Sequence, residues 1–462
     1  MAMKHIGLIL ATLFARLACG STQETQVSGL DFARQERSDS AGLAISFSIW
    51  ALYAQQPGDV FGDCDAAMRG LRERGFNCIR MDDGAGLYAS PDGTPRGPVR
   101  IRPAFGRFSG DIRQMNLVTT PRTVDPRVNL VRICRAADRH GIRVILSSWF
   151  FIHTTWMVDE SVNGPIFEGL SDEGKISYFT DELDRALKVL EDEKLAHVVA
   201  FAELFNEFDG LCFTARYGRI AADKAERFRA LHEAAIGRLK KAHPGIRFGY
   251  DASSADIQEE LVPRNADVLN FHHYYFWPIY QTLEHRCVRE TVVETPIPPE
   301  TAQYLRQPPL SIAEVVETRC GNLRVSNDWN ARVRLYASLD DAKMPALEAA
   351  FDEVFARERE TYVKNLKDGV ARVVALRDRI LPGVPIVFGE GVSYVASMRF
   401  LYEEKSERYW RMLEEQSRIF RAAGLYGAVP RTNSGPEEPG WQTCAEKFRR
   451  VNDLFMGNKD LK

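Results

Sequence analysis

The sequence predicts an α/β fold, a (β/α)8 TIM barrel with long strand-to-helix loops and an insertion after strand 6. Three observations carry that expectation. First, helical segments repeatedly stop at a glycine that leads into an apolar run: Gly75 into Phe76–Arg80, Gly141 into Ile142–Leu146, Gly245 into Ile246–Phe248, Gly383 into Val384–Phe388, and Gly424 into Leu425–Val429. Glycine reaches the left-handed conformation without a Cβ clash, which suits a helix stop. Second, adding Leu43–Trp50, His197–Asn206 and Asp267–Tyr275 brings the candidate strands to eight, the number that closes such a barrel. Third, the segments after strands 2, 3 and 6 are long while the helix-to-strand turns are short, and strand-to-helix loops build the functional face of a barrel.

The strands are expected at about 43–50, 76–82, 142–149, 197–206, 246–250, 267–275, 384–389 and 425–430. Helical patterns lie at about 64–74, 126–140, 172–194, 221–242, 346–380, 406–423 and 442–456. In the second helix, Val128, Val131, Cys134 and Ala137 recur at three-residue spacing as one face, and Asp125-Pro126 supplies a cap and a first-turn proline. The segment 276–345 is too long to be structureless and is expected to carry helices of its own. An open doubly wound sheet is the alternative, but no glycine fingerprint follows the first strand.

Residues 1–20 read as a signal peptide and 30–462 as the barrel, with 276–345 inserted. Lys4 and His5 precede the apolar run Ile6–Ala15, followed by Arg16 and the small residues Ala18, Cys19 and Gly20. Ten residues fall short of the roughly 20 that span a bilayer, so no integral span is expected. The expectation is an exported protein: periplasmic, secreted, or lipid-anchored at the cell surface through Cys19. The eight cysteines lack the paired spacing of a zinc or redox site; in an oxidising compartment, Cys287 and Cys320 would clip the long excursion between them.

Composition excludes several classes. With 45% hydrophobic and 10% aromatic residues the chain has material for a large core. Sixty basic against 63 acidic side chains leave a net charge of −3, so no strong field attracts nucleic acid or anionic lipid. No nucleophile elbow, phosphate loop or two-histidine zinc helix is present.

The chemistry concentrates at strand ends. His197-Val-Val-Ala-Phe-Ala-Glu-Leu-Phe-Asn-Glu207 is an apolar strand that runs into Glu203, Asn206 and Glu207, and Val384-Pro-Ile-Val-Phe-Gly-Glu390 ends on a second carboxylate. Two carboxyl groups facing one another at barrel strand ends are what acid-assisted cleavage of a glycosidic bond needs, with Glu207 as acid/base and Glu390 as nucleophile. Pro309-Leu-Ser-Ile-Ala-Glu314 also looks like a strand ending in Glu, but taking it as strand 7 leaves 425–430 as a ninth strand. Glu203, two residues along the same face from Phe205 and four from Glu207, reads as a structural partner for a base inside the barrel. Trp149, Trp156 and Trp277 follow strands 3 and 6 as candidate walls of a sugar cleft.

Glu203-Leu-Phe-Asn-Glu207 resembles the Glu-x-x-Asn-Glu segment of cellulase-like enzymes, glycoside hydrolase family 5 and its clan A relatives. In the same order, Arg80 resembles the strand-2 arginine, His273-Tyr-Tyr275 the His-x-Tyr of strand 6, Gly389-Glu390 the strand-7 nucleophile, and Trp441 the tryptophan after strand 8. The resemblance implies a retaining hydrolase of β-linked glycans or glycosides, free of metal and organic cofactor. It implies that Asn206 binds the sugar 2-hydroxyl, that Tyr275 and Arg80 hold the nucleophile, and that Trp441 stacks under the reacting sugar. Two departures stand out: Phe208 replaces the proline after the acid/base, and Trp149-Phe-Phe-Ile-His153 lacks the usual histidine at the end of strand 3. A transglycosylase on the same carboxylates and a catalytically silent carbohydrate-binding barrel are the competing expectations.

Overall fold

Eight parallel strands close into one barrel in the computed structural model. In chain order they are β1 Leu43–Phe47, β2 Cys78–Asp82, β3 Arg143–Ser147, β4 Val199–Glu203, β5 Phe248–Ala252, β6 Val268–His272, β7 Ile386–Glu390 and β8 Gly427–Ala428. The structure describes residues 42–47, 52–113, 116–150, 154–209, 219–276, 282, 297, 299–315, 323–391 and 397–458, within a compact unit that spans 37–462. The expected segment 1–20, Cys19, Cys212, Cys287, Cys320, His153 and Trp277 lie outside the described residues. The other four cysteines, Cys64, Cys78, Cys134 and Cys444, are buried free thiols.

Each strand pairs with the next, and β8 closes the ring by pairing Gly427 with Leu43 and Ala428 with Ala44. Every strand residue but Arg143, which opens β3, is buried, as strands covered on one side by helices and on the other by the barrel interior require. The surrounding helices are α1 Cys64–Glu73, α2 Pro126–Arg139, α3 Asp172–Asp192, α4 Ala222–Ala242, α5 Met344–Ile380, α6 Glu407–Ala422 and α7 Ala445–Met456. Four of the five junction glycines, Gly75, Gly141, Gly383 and Gly424, take positive φ as the helix stop requires; Gly245 does not.

The buried stripe of α2 differs from the expected one. Leu130, Ile133, Cys134 and Ala137 are buried while Val128 is 63% exposed. A strict three-residue repeat lags the 3.6-residue turn by about 60° per step, so Val128 and Ala137 end on opposite sides. Asp125 does cap the helix, accepting from the Arg127 backbone N–H at 3.0 Å.

Two long loops carry structure of their own. The segment after β2 contains an antiparallel pair, Val99–Ile101 with Arg122–Val124. The insertion after β6 contains helices Pro299–Ala302, Ile312–Val315 and Leu323–Ala337. Glu314 starts a helix rather than ending a strand: its carboxylate accepts from Ser311 N–H at 2.8 Å while Ser311 Oγ accepts from Glu314 N–H at 3.3 Å, a reciprocal capping box. Among the described residues, no helix is long and apolar enough to cross a membrane.

Candidate active site

The upper layer of the barrel interior is polar where most barrels place branched aliphatics, and Arg80 from β2 is its centre. Its Nη1 donates to Glu390 Oε1 at 3.0 Å. Its Nη2 lies 2.9 Å from Asp251 Oδ2, 3.1 Å from Glu203 Oε2 and 3.1 Å from Asn206 Oδ1. The guanidinium carbon sits 4.5 Å from the centre of the Trp149 ring, so an aromatic face covers the cation from the side. Burial alone would strip charge from this group, but Asp251, Glu203 and Glu390 together outweigh it and hold the guanidinium more firmly protonated than usual.

Glu207 and Glu390 meet above this layer. An oxygen of each and a ring nitrogen of His272 lie within 4.8 Å of one another. Within this trio His272 Nδ1 lies 2.9 Å from Glu207 Oε1, and Glu390 accepts from Arg80 on one oxygen and from Tyr274 Oη at 2.7 Å on the other. The two carboxyl groups therefore sit in different environments. Burial pushes the Glu207 carboxyl up to about 7, with the Glu390 charge adding to it and His272 opposing it. Glu390 is instead gripped on both oxygens by donors, Arg80 on one and Tyr274 on the other.

Glu207 is also one of two non-glycine residues with positive φ among the described residues, at 52°. A left-handed carboxylate residue costs on the order of 1 kcal/mol and persists only where its surroundings impose it. Here Asp251 Oδ2 accepts the Glu207 backbone N–H at 2.9 Å, and the flanking Phe205 and Phe208 rings are clamped in an aromatic box with His232 and Tyr250. Phe208 packs 4.6 Å from the His232 ring.

Glu203 lies fully buried beneath, accepting from Arg80 and from Asn270 Nδ2 at 2.8 Å. Burial raises it to about 7 despite Arg80. Gly389 makes this possible, because a Cβ there would overlap the Asn270 amide.

Of the residues expected at the site, the structure brings together Arg80, Asn206, Glu207 and Glu390. It gives five others surroundings different from those expected. His273 turns outward, with Nε2 2.9 Å from the Asn365 carbonyl of α5. Tyr275 donates to Gln416 Oε1 of α6 at 2.9 Å. Their neighbours His272 and Tyr274 occupy the site instead, so the His-x-Tyr pair is read one residue late in the sequence. Alternation along β6 sends Asn270 and His272 inward, and a register shift against β7 at Phe271/His272 fixes which of two adjacent histidines faces the acids. Trp149 is fully buried against Arg80 and Phe47, a lining of the cation rather than of an open cleft. Trp441 stacks 6.2 Å from Phe76 and 4.1 Å from the Arg74 guanidinium, packed on α1 beside Gly70, because the short helix Gly440–Thr443 leads it away from the strand end. Trp156 is buried against Phe105 and Trp329 in the loop layer.

Asp251 is the residue that the sequence reading missed. Its signal was the same as that of Glu203, a charge ending an apolar run, Phe248-Gly-Tyr-Asp251, but ending β5 at 250 left it out.

A parallel eight-stranded barrel with two carboxyl groups converging at its strand ends defines a glycosidase. The chain belongs to the cellulase-like family: the model described as sugar-binding cellulase-like matches residues 44–288, just over half of its 462 residues. No curated protein matches it. Among solved structures it is similar to a candidate glycoside hydrolase from Parabacteroides distasonis, at 16% identity and a TM-score of 0.60, over 90% of this chain and 93% of that one. It also aligns with the endo-β-1,4-mannanase of Thermotoga petrophila, at 11% identity and a TM-score of 0.46, over 91% of this chain and 78% of that one. A Bacteroidetes-affiliated family 5 cellulase aligns at 11% identity and a TM-score of 0.46, over 91% and 93%.

Proposed function

We propose that the protein is a retaining glycoside hydrolase that cleaves β-linked glycans or glycosides by double displacement. The observation that carries this reading is the convergence of Glu207, His272 and Glu390 within 4.8 Å. Retention uses carboxyl groups about 5–5.5 Å apart, whereas inversion leaves about 6.5–9.5 Å for a water. Glu390, oriented by Arg80 and Tyr274, attacks the anomeric carbon and forms a glycosyl ester; Glu207 gives its proton to the departing oxygen. Glu207 then takes a proton from water as that water attacks the ester and releases Glu390. Glycosylation removes the Glu390 charge, which lets Glu207 ionise more readily for the second step.

Asn206 is held by its carbonyl oxygen, which accepts from Arg80, so the amino edge is the side suited to a sugar 2-hydroxyl. Such a bond strengthens as the anomeric carbon becomes positive. The family description, sugar-binding and cellulase-like, supports a carbohydrate substrate.

The test is a panel of aryl β-glycosides and plant and microbial polysaccharides, with the anomeric configuration of the first product read by NMR. Retention, together with trapping of a 2-fluoro sugar on Glu390 seen by peptide mass, is expected. An inverted product overturns the double displacement. Binding without turnover is the second reading, favoured by Trp441 being packed on α1 rather than placed as a platform. Oligosaccharide affinity with no hydrolysis across the panel would establish it.

A further inference from the structure

We propose that Asp251, at the end of β5, is the positioning residue of this site: a single carboxylate that sets the backbone of Glu207, the imidazole of His272 and the guanidinium of Arg80, and so couples the acid/base to the nucleophile. The inference deepens the glycosidase reading and rests on it for its catalytic meaning, while its structural part stands independently. Oδ2 accepts the Glu207 N–H at 2.9 Å and Arg80 Nη2 at 2.9 Å. Oδ1 lies 3.1 Å from His272 Nε2, an ion-pair distance, and has no hydrogen bond of good geometry although it is buried. An otherwise unserved carboxylate oxygen beside a ring nitrogen is satisfied electrostatically when that nitrogen belongs to a cation.

Three consequences follow from this geometry. The left-handed turn at Glu207 is held by an anion on its own N–H, so the acid/base carboxyl projects from a fixed backbone. Arg80, pulled by Asp251 on Nη2, presents Nη1 to Glu390, which orients the nucleophile. His272, whose Nδ1 faces Glu207, gains its charge from the far side of the ring. Every charged group that faces His272 comes from a different strand end: Glu207 after β4, Asp251 on β5, Glu390 on β7, and Arg80 on β2 at 3.5 Å. Burial and the Arg80 cation oppose protonation, and the carboxylates favour it.

The balance of those charges supports the same arrangement. Burial would lower His272, but Asp251 first and Glu390 second outweigh it and raise it well above the usual imidazole range. Burial would raise Asp251, but His272 and Arg80 outweigh it and hold it below the usual carboxylate range. An imidazolium and an ionised Asp251 leave the mobile proton of the cluster to Glu207, where acid catalysis needs it.

The test compares wild type with Asp251→Asn, an isosteric change whose amide oxygen still accepts from Glu207 and Arg80. The His272 imidazole is titrated by nitrogen NMR on selectively labelled protein, and kcat is measured on glycosides of graded leaving-group acidity. In wild type the imidazole should stay protonated above pH 7. In Asp251→Asn its titration should move at least one pH unit toward acid. The kcat of the variant should fall about 100-fold on an alkyl glycoside but less than about 10-fold on a dinitrophenyl glycoside, whose leaving group needs little acid help. An equal loss on all substrates with an unmoved His272 titration would reduce Asp251 to a structural residue and overturn the proposal. A wild-type imidazole that is neutral below pH 6 overturns it without any variant, so a poorly folding Asp251→Asn does not protect it. If wild type hydrolyses nothing, the glycosidase reading fails, while the His272 titration still decides whether Asp251 controls the ring.

Discussion

Tyr274 Oη donates to Glu390 Oε2 at 2.7 Å, while the next residue, Tyr275, points through the wall of the barrel to Gln416. Adjacent tyrosines thus serve opposite faces of one strand end. Tyr274→Phe should lower kcat/KM about 10- to 100-fold, the worth of a hydrogen bond to a charged group, with little change in melting temperature. Tyr275→Phe should do the reverse, leaving kcat/KM within about twofold and costing about 1 kcal/mol of stability through the lost bond to Gln416. Steady-state kinetics and thermal melts on the two variants separate them.

Glu207 and Glu390 should respond differently to removal of their charge. Glu390→Gln should abolish turnover on every substrate. Glu207→Gln should lose about 100- to 10,000-fold on alkyl glycosides yet retain much of the first step on activated aryl glycosides. The measurement is the dependence of the pre-steady-state burst on leaving-group acidity; a burst retained in Glu390→Gln would move the nucleophile elsewhere.

The proton on Glu207 should set the alkaline limb of the activity profile. Burial places its carboxyl at about 7, so kcat/KM should fall as pH rises through about 7. The profile of Glu207→Gln on an activated substrate should lack that limb.

Stability should also favour mildly acidic solution. Glu203, Glu207 and Asp83 all have folded values raised to about 7, chiefly by burial. A group raised on folding contributes stability that is complete below its unfolded value and is lost as pH rises through its folded one. His272, raised by Asp251, adds to the loss at high pH. Asp251 and Glu404 act oppositely, held low by His272 and Arg80 and by Arg113 and Arg431 respectively, so their contribution disappears only as pH falls through the lowered values. Melting should therefore occur at least about 2 °C higher at pH 5.5 than at pH 8; a flat profile would mean that the buried acids exchange their protons with no net coupling to folding.

Gly369 reports the outward placement of His273. A Cβ at this position of α5 would overlap the His273 ring. Gly369→Ala should cost about 1–3 kcal/mol in wild type from overpacking. In a His273→Ala background the same change should become neutral or stabilising by up to about 1 kcal/mol, the helix preference for alanine over glycine. A double-mutant cycle of denaturant melts measures the coupling.

The barrel itself was legible along the chain, because apolar runs and glycine stops are local signals that each strand and helix carries separately. All eight strands and seven helices fall where those runs lie, with ends displaced by a few residues. Glu203, Glu207 and Glu390 were legible for the same reason: a carboxyl group at the end of an apolar strand is costly unless it is used or paired. Side-chain direction was not. His272 against His273 and Tyr274 against Tyr275 differ only by one step of a two-residue alternation, and that step is decided by the register of β6 on β7 and by the pull of Glu207, Asp251 and Glu390 across the barrel. Asp251 and Trp441 belong with them. The first matters through three groups drawn from other strand ends, and the second through a helix more than 360 positions earlier in the chain. Burial and charge pairing at that range act through space, so closure of the barrel selected which of the candidate side chains became the site.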